Sequence, residues 1–167
     1  MFQSFYKGVA TYNDNLALIM YEDGIEDIVM HVEEMAMDAT FSVVPAIFEL
    51  HLTIFGRFGD NFLPMFHVLM TSRQGELYTA VLDRIKSQLP GLDPTIVHSD
   101  FEVAIHNAIG TVFPSARLLG CWFHHNQAVF RTIQKRGLRG EFNKPGSVFK
   151  LWVRGFFFSS PFASRQD

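Results

Sequence analysis

The sequence is poor in cysteine, in long apolar runs and in net positive charge. Cys121 is the only cysteine among 167 residues, so an internal disulfide is excluded. No apolar run reaches the ~18 to 20 uncharged residues that a membrane span requires. Lys and Arg number 14 against 17 Asp and Glu, a net charge of -3. This balance argues against strong nonspecific binding of nucleic acid by the segment alone, because such binding depends on Lys and Arg neutralising phosphates.

What the sequence does contain is typical of one folded domain. Hydrophobic residues make up 48% and charged residues 19% of the chain, which excludes a disordered protein. Internal repeats and low-complexity tracts are absent. We therefore expect a soluble intracellular protein with its core near the middle of the chain.

Apolar patterning predicts strands first. Leu16–Tyr21 is a candidate strand, and a mixed stretch over 25–34 leads into Met35–Asp38. Turn formers, namely Pro45, Gly56 and the run 59–61, then separate the apolar runs Val43–Phe48, His51–Phe55 and Phe62–Met70. This spacing predicts a three-stranded antiparallel meander.

Helices and strands alternate in the second half. The predicted order is helix, strand, helix, strand, helix, over Gly75–Leu89, Thr95–Asp100, Glu102–Phe113, Arg117–Phe123 and His125–Leu138. Alternation of this kind favours parallel pairing. A further helix is possible over Ser147–Phe157, after a Gly/Pro break. The predicted organisation is a lead-in over 1–34, a core over 35–138 and an irregular or partly helical tail over 139–167.

Two aspartates stand where predicted strands end. Asp38 follows an apolar strand, and Asp100 lies between the next strand and a helix. Taken singly, Asp38 fits a turn residue and Asp100 a helix cap, while Glu102 fits a charge that stabilises the helix N-terminus. Two carboxylates on neighbouring strands could instead converge on a divalent ion, since Mg²⁺ prefers carboxylate oxygens and retained waters.

Three blocks carry a resemblance to a known family. The run Asp38-Ala-Thr-Phe41 looks like the Asp-Gly-Thr-Phe block of Mutator-like (MULE) transposases, with Ala39 in place of glycine. The stretch from Leu89 through Ser99-Asp-Phe-Glu102 to Pro114 is similar to the block that holds the family's second catalytic aspartate. Gly120-Cys-Trp-Phe-His124 resembles its Cys-x-x-His segment. The blocks occur in the family's order and cover about residues 5 to 154.

The resemblance implies an α/β fold of the ribonuclease H-like type, a mixed five-stranded sheet with flanking helices, incomplete at the C-terminus. It implies an acidic triad binding Mg²⁺ or Mn²⁺, whose first two members match Asp38 and Asp100. Glu141 and Asp167 are the only acids after Cys121 and match no motif, so we expect an incomplete triad in a C-terminally truncated copy. Transposon-end DNA is the implied partner, homo-oligomers are left open, and a nuclear location is expected in a eukaryote.

Other readings remain open. Cys121 and His124 have zinc-ligand types, but a structural zinc site needs four ligands; a buried strand cysteine and a residue at a helix start is the simpler interpretation, and His124 could instead face the acidic site. The basic stretch Arg131–Arg139 fits a solvated helix end or a DNA contact. Alternative functions are a non-catalytic binding or interaction module and an RNA-directed nuclease.

Overall fold

The computed structural model describes residues 5–41, 44–100 and 102–159. For Trp122, Phe123 and residues 156–159 it describes the backbone alone. Two compact units make up the chain, residues 1–119 and residues 120–167. The first unit holds a mixed sheet and most of the core. The second holds three helices within the part of the chain that the structure describes.

The first unit contains seven strands and three helices within the described residues. The strands are β1 (Tyr6–Tyr12), β2 (Asn15–Met20), β3 (Glu34–Thr40), β4 (Leu50–Phe58), β5 (Asn61–Met70), β6 (Ile96–Ser99) and β7 (Arg117–Gly120, whose last residue opens the second unit). The helices are α1 (Glu26–Val29), α2 (Gly75–Gln88) and α3 (Val103–Val112).

The sheet has the strand order β1-β2-β5-β4-β3-β6-β7. Strands β3, β4 and β5 form an antiparallel meander, and β6 pairs with β3 in parallel. A three-stranded meander is therefore confirmed, with its second and third strands where they were predicted and its first strand at β3. The α/β class with mixed strand directions is therefore confirmed. The expected number of five strands is wrong, because the β1–β2 hairpin adds two more strands through the antiparallel pairing of β2 with β5.

The core lies between one face of this sheet and helices α2 and α3. Alternate residues of the central strands are fully buried there, including Leu52, Ile54 and Val68. Helix α2 contributes an apolar stripe that includes Val81 and Ile85, as its helical spacing predicts. The two helices cover this one face, so polar side chains of β3 and β6 collect on the other.

Two local predictions of the meander are corrected. The segment 44–48 forms a turn with a hydrogen bond from Phe48 N to Pro45 O (2.9 Å) and not a strand, and the meander's first strand is β3; Val43 lies outside the described residues. Gly56 lies inside β4 and not in a turn. A Cβ at Gly56 would stand 2.6 Å from Met65 Sδ, so this glycine permits a close side-chain approach.

The last predicted strand is also shorter than its apolar run suggests. The strand ends at Gly120, and helix α4 (Trp122–Lys135) begins directly after Cys121. The helix therefore begins three residues before its predicted start at His125. Hydrophobic strand and helix segments look alike over so short a run. Gly137, with φ of 71°, follows the end of α4, as expected of a glycine at a helix C-terminus.

Three aromatic rings connect the helices of the second unit, which are α4, α5 (Arg139–Asn143) and α6 (Val148–Ser159). Phe142 of α5 meets Phe130 of α4 and Phe149 of α6 edge to face, at centroid distances of 5.7 and 6.3 Å. Lys150 lies over the ring of Phe142. Such aromatic pairs add about 0.5 to 1.5 kcal/mol each beyond the area they bury.

A polar network joins the start of β3 to its neighbours on the open face. Glu34 accepts hydrogen bonds from Arg57 of β4 (2.6 Å) and from His98 of β6 (2.5 Å). Partial burial raises the pKa of Glu34, but these two hydrogen bonds outweigh burial and leave that pKa below its usual value. The network therefore favours the ionised carboxylate and fixes the parallel pairing of β3 with β6.

We expect Leu52→Ala to destabilise the protein by about 2 to 5 kcal/mol, because it empties fully buried space at the centre of the sheet. Leu63→Ala is the matched control, since Leu63 is 51% exposed, and should change stability by less than about 1 kcal/mol. Urea denaturation measures both. Equal losses in the two variants would contradict the assignment of the core.

We expect Glu34→Gln to lower stability at pH 7 by up to about 1 kcal/mol, as for partly exposed ion pairs. A lowered carboxyl pKa stabilises the folded state above the unfolded pKa and ceases to do so as pH falls through the folded value. The gap in melting temperature between wild type and variant should thus close by about pH 3. Exposed Glu22 supplies the control Glu22→Gln, which should show no such gap; a constant gap for Glu34→Gln would refute the network's role.

Candidate active site

The two aspartates predicted from sequence lie on neighbouring parallel strands. Met35 and Ala36 of β3 pair with Val97 and His98 of β6. Continuing this register by two residues brings Asp38 opposite Asp100, with about 5 Å expected between adjacent strands. Side-chain alternation directs both away from the helix-covered face, because the preceding residues Met37 and Ser99 are buried.

Asp38 lies within β3 and not at its end. The strand continues through Ala39 to Thr40, and Asp38 pairs with Thr53 of β4. The turn interpretation of Asp38 is therefore wrong. Its side chain is exposed on the open face, where a regular strand backbone fixes its direction.

Asp100 directly follows β6 and is held by three hydrogen bonds. Its backbone carbonyl accepts from Ser99 Oγ (3.1 Å) and from His106 Nε2 (2.6 Å). Its Oδ1 accepts from the backbone N–H of Glu102 (3.2 Å). The carboxylate thus closes an Asx turn just before α3. The prediction that Asp100 caps α3 is wrong, because the N-cap residue is Glu102 and no side chain caps this helix.

His106 was missed from sequence. It lies on α3, one and a half turns beyond Asp100, and its Nε2 must carry the proton to donate to a carbonyl. A histidine six residues after an aspartate gives no recognisable signal, because the contact depends on how the turn before α3 folds back.

Three further charged side chains surround this edge of the sheet. Glu49, just before β4, accepts a hydrogen bond from Arg73 Nε (2.7 Å), and the Arg73 guanidinium lies over the ring of Phe41. Burial, then the negative charge of Asp100, raises the pKa of Glu102, and Arg73 opposes that rise. Glu102 is the N-cap residue of α3 and makes no side-chain cap hydrogen bond.

Tyr78 of α2 adds a buried polar group beside these acids. Its side chain is fully buried, and burial followed by the charges of Glu102 and Asp100 raises its hydroxyl pKa. The hydroxyl lowers the pKa of Glu102 through a contact that falls short of ordinary hydrogen-bond geometry. The raised pKa means that this buried phenol holds its proton more firmly than an exposed tyrosine does.

Two histidines share the open face with Asp38. Thr53 of β4 pairs with Asp38 of β3 on one side and with His67 of β5 on the other. His67 Nδ1 and His51 Nε2 lie 3.1 Å apart with their rings stacked. Burial, then the charge of His67, lowers the pKa of His51, so the neutral ring is favoured at His51.

The donor atoms at Asp38 and Asp100 fit a hard divalent cation. Mg²⁺ is commonly bound through one or two carboxylates, with waters and phosphate oxygens completing its shell, and two carboxylates on one face in register provide that number. Across the ranges 5–41, 44–100 and 102–159, no three His, Cys, Asp or Glu side chains gather as a cation site. Asp38 and Asp100 are the two residues that would hold such an ion there.

Cys121 and His124 belong to the second unit. Cys121 is the N-cap residue of α4 and a free, half-buried thiol, and His124 lies in the first turn of that helix. The expected buried strand position of Cys121 is corrected to the junction after β7. In the described part of the chain, no further His, Cys, Asp or Glu side chain joins this pair to form a possible zinc site.

Comparison with known proteins agrees with these motifs. No described helix is both long and apolar enough to cross a membrane, and no curated protein matches the sequence. The sequence model of the MULE transposase domain matches residues 35–128, more than half of the 167-residue chain. That range begins in β3 before Asp38, includes Asp100 and ends within α4. The chain belongs to the MULE transposase domain family.

Proposed function

We propose that this domain acts in DNA transposition, with Asp38 and Asp100 holding Mg²⁺ or Mn²⁺ for the cleavage and joining of DNA strands. The observation that supports this proposal is the parallel register of β3 and β6, which would bring the two aspartates opposite each other if it continues two residues past Ala36 and His98. Membership of a transposase family supplies the substrate, DNA. A ribonuclease H-like fold is part of the proposal, since β3 to β7 supply five adjacent strands of mixed direction.

Each residue has a defined task in this proposal. Asp38 presents its carboxylate from the middle of a rigid strand, and Asp100 presents its second oxygen from a turn tied by Ser99 and His106. A bound cation would activate the attacking oxygen and stabilise the leaving oxygen of a phosphodiester. The pre-formed turn lowers the cost of ordering Asp100 when cation and DNA arrive.

Mn²⁺ should raise the melting temperature of the full chain, because a ligand that binds only the folded state stabilises it. At a concentration 100 times its dissociation constant the gain is about 2.7 kcal/mol. Asp38→Asn and Asp100→Asn should each remove most of the gain. Differential scanning calorimetry with and without Mn²⁺ measures the effect.

These variants and their control distinguish loss of the metal site from a general loss of negative charge. Asn at position 100 keeps an Oδ1 acceptor for the N–H of Glu102, so the turn is retained. Asp83→Asn is the matched control, since Asp83 is exposed on α2 and should leave the Mn²⁺ gain unchanged. An unchanged gain in Asp38→Asn would reject metal binding at this pair.

A non-catalytic DNA-binding role is the second candidate. The observation that favours it is the absence, among the described residues, of a third metal-binding side chain gathered with the two aspartates. Residues that act as a unit lose most of their activity when one member is missing. In this alternative the domain keeps its fold and its DNA contacts without cutting.

A nicking assay on supercoiled DNA in Mn²⁺ distinguishes the two candidates. If the domain is catalytic, nicking should occur and fall to background in Asp38→Asn, with Asp83→Asn as active as wild type. No nicking by a folded protein that binds Mn²⁺ would favour the non-catalytic role. Cleavage of an RNA–DNA hybrid without action on duplex DNA would instead indicate an RNA-directed nuclease.

A further inference from the structure

Charge is strongly segregated between the two units. Residues 1–119 carry 15 acidic and 6 basic side chains, whereas residues 120–167 carry 2 acidic and 8 basic ones. The net charge of -3 for the chain thus combines -9 in the first unit with +6 in the second. The second unit is therefore cationic, although the net charge of the whole chain is negative.

Within the second unit, four basic residues form what we term the α4–α5 basic surface: Arg131, Lys135, Arg136 and Arg139. All four are exposed. Arg131 and Lys135 lie one helical turn apart on the same side of α4, about 6 Å along its axis. Arg136 and Arg139 lie on either side of the turn at Gly137, at the end of α4 and the start of α5.

These cations differ from most of those in the first unit. There, four of the six basic residues pair with acids, as in Arg57 with Glu34 and Arg73 with Glu49. No acidic residue occurs in the sequence between Glu102 and Glu141, and Glu141 is paired with Lys144. Within the described residues, the α4–α5 basic surface has no ion pair.

Solvation of a helix end accounts for only part of this surface. Lys135 and Arg136 stand at the C-terminus of α4, where the helix dipole favours positive charge. Arg131 lies in the interior of α4, and Arg139 opens α5, where a positive charge is unfavourable. Like charges one turn apart also repel, by a few tenths of a kcal/mol. A polyanion removes these costs.

The surface has a packed support. Phe130, on the helix that carries Arg131 and Lys135, packs against Phe142 of α5, whose first residue is Arg139. Phe149 of α6 meets Phe142 from the other helix. The cations are therefore displayed on helices held together by aromatic contacts, with less conformational freedom to lose on binding than a flexible tail.

We infer that the α4–α5 basic surface binds the sugar–phosphate backbone of duplex DNA. Duplex DNA presents one negative charge per ~1.7 Å of its axis, so closely spaced cations can each meet a phosphate. The inference deepens the proposed function, on which its choice of DNA rests, by naming where the substrate is held. The contact is independent of base sequence, because backbone contacts position a protein without reading bases.

The test is the salt dependence of DNA binding by the full chain. A mixed-sequence 30-base-pair duplex is titrated in EDTA at NaCl concentrations from 50 to 200 mM, and fluorescence anisotropy gives the dissociation constants. Each lost phosphate contact lowers the slope of log affinity against log salt by about 1. Arg131→Gln/Lys135→Gln/Arg139→Gln should therefore lower the slope by about 3.

Two controls separate position from charge and from folding. Lys7→Gln/Arg84→Gln/Lys86→Gln removes the same charge from the first unit and should leave the slope as in wild type. Arg131→Lys/Arg136→Lys/Arg139→Lys keeps the charge and should also retain it. Equal slope losses in the two Gln variants, or none in the first, would overturn the inference, as would failure of wild type to bind at 50 mM NaCl.

The remaining outcomes identify other occupants. Vesicles of phosphatidylserine and phosphatidylcholine that bind the chain when DNA does not would overturn the DNA assignment, and so would duplex RNA binding tenfold tighter than DNA. Because the titrations contain EDTA, DNA binding is measured without a bound divalent cation. Loss of the Mn²⁺ effect with intact DNA binding would thus reject the metal site alone, and the converse would reject the basic surface alone.

Discussion

The candidate site depends on the parallel pairing of β3 with β6. These strands come from distant parts of the chain, and their register decides whether Asp38 and Asp100 stand opposite each other. A shift of one residue would send either side chain to the helix-covered face. The hydrogen bonds of Glu34 to Arg57 and His98 hold this register from the opposite end of the pair.

Sequence patterning predicts much of this arrangement and fails for definable reasons. Helices α2 and α3 follow from apolar spacing over ten or more residues, and the meander follows from turn formers. The strand Val43–Phe48 was a wrong prediction, because a short apolar run with Pro45 looks the same in a turn as in a strand. The count of five strands came from the resemblance alone. Patterning did predict a strand over Leu16–Tyr21, close to β2, but it did not predict β1.

The residues of the candidate site likewise divide into those that the sequence predicts and those that it does not. Motif order identifies Asp38 and Asp100, since each lies in a recognisable block. The contributions of His106, Glu102 and Tyr78 depend on tertiary contacts of the turn after β6 and cannot be inferred from spacing. His106 and Ser99, for example, both donate to the backbone carbonyl of Asp100, a contact that no spacing in the sequence indicates.

Segregated charge has a consequence for how this protein behaves as a colloid. With a pI of about 6.1, the chain looks mildly acidic, yet one unit is strongly anionic and the other cationic. Opposite patches on separate copies attract each other when salt is low, and added salt screens that attraction within a Debye length of about 10 Å at 0.1 M. Moderate salt therefore disperses the protein, and both anion- and cation-exchange resins retain it, whatever its net charge suggests.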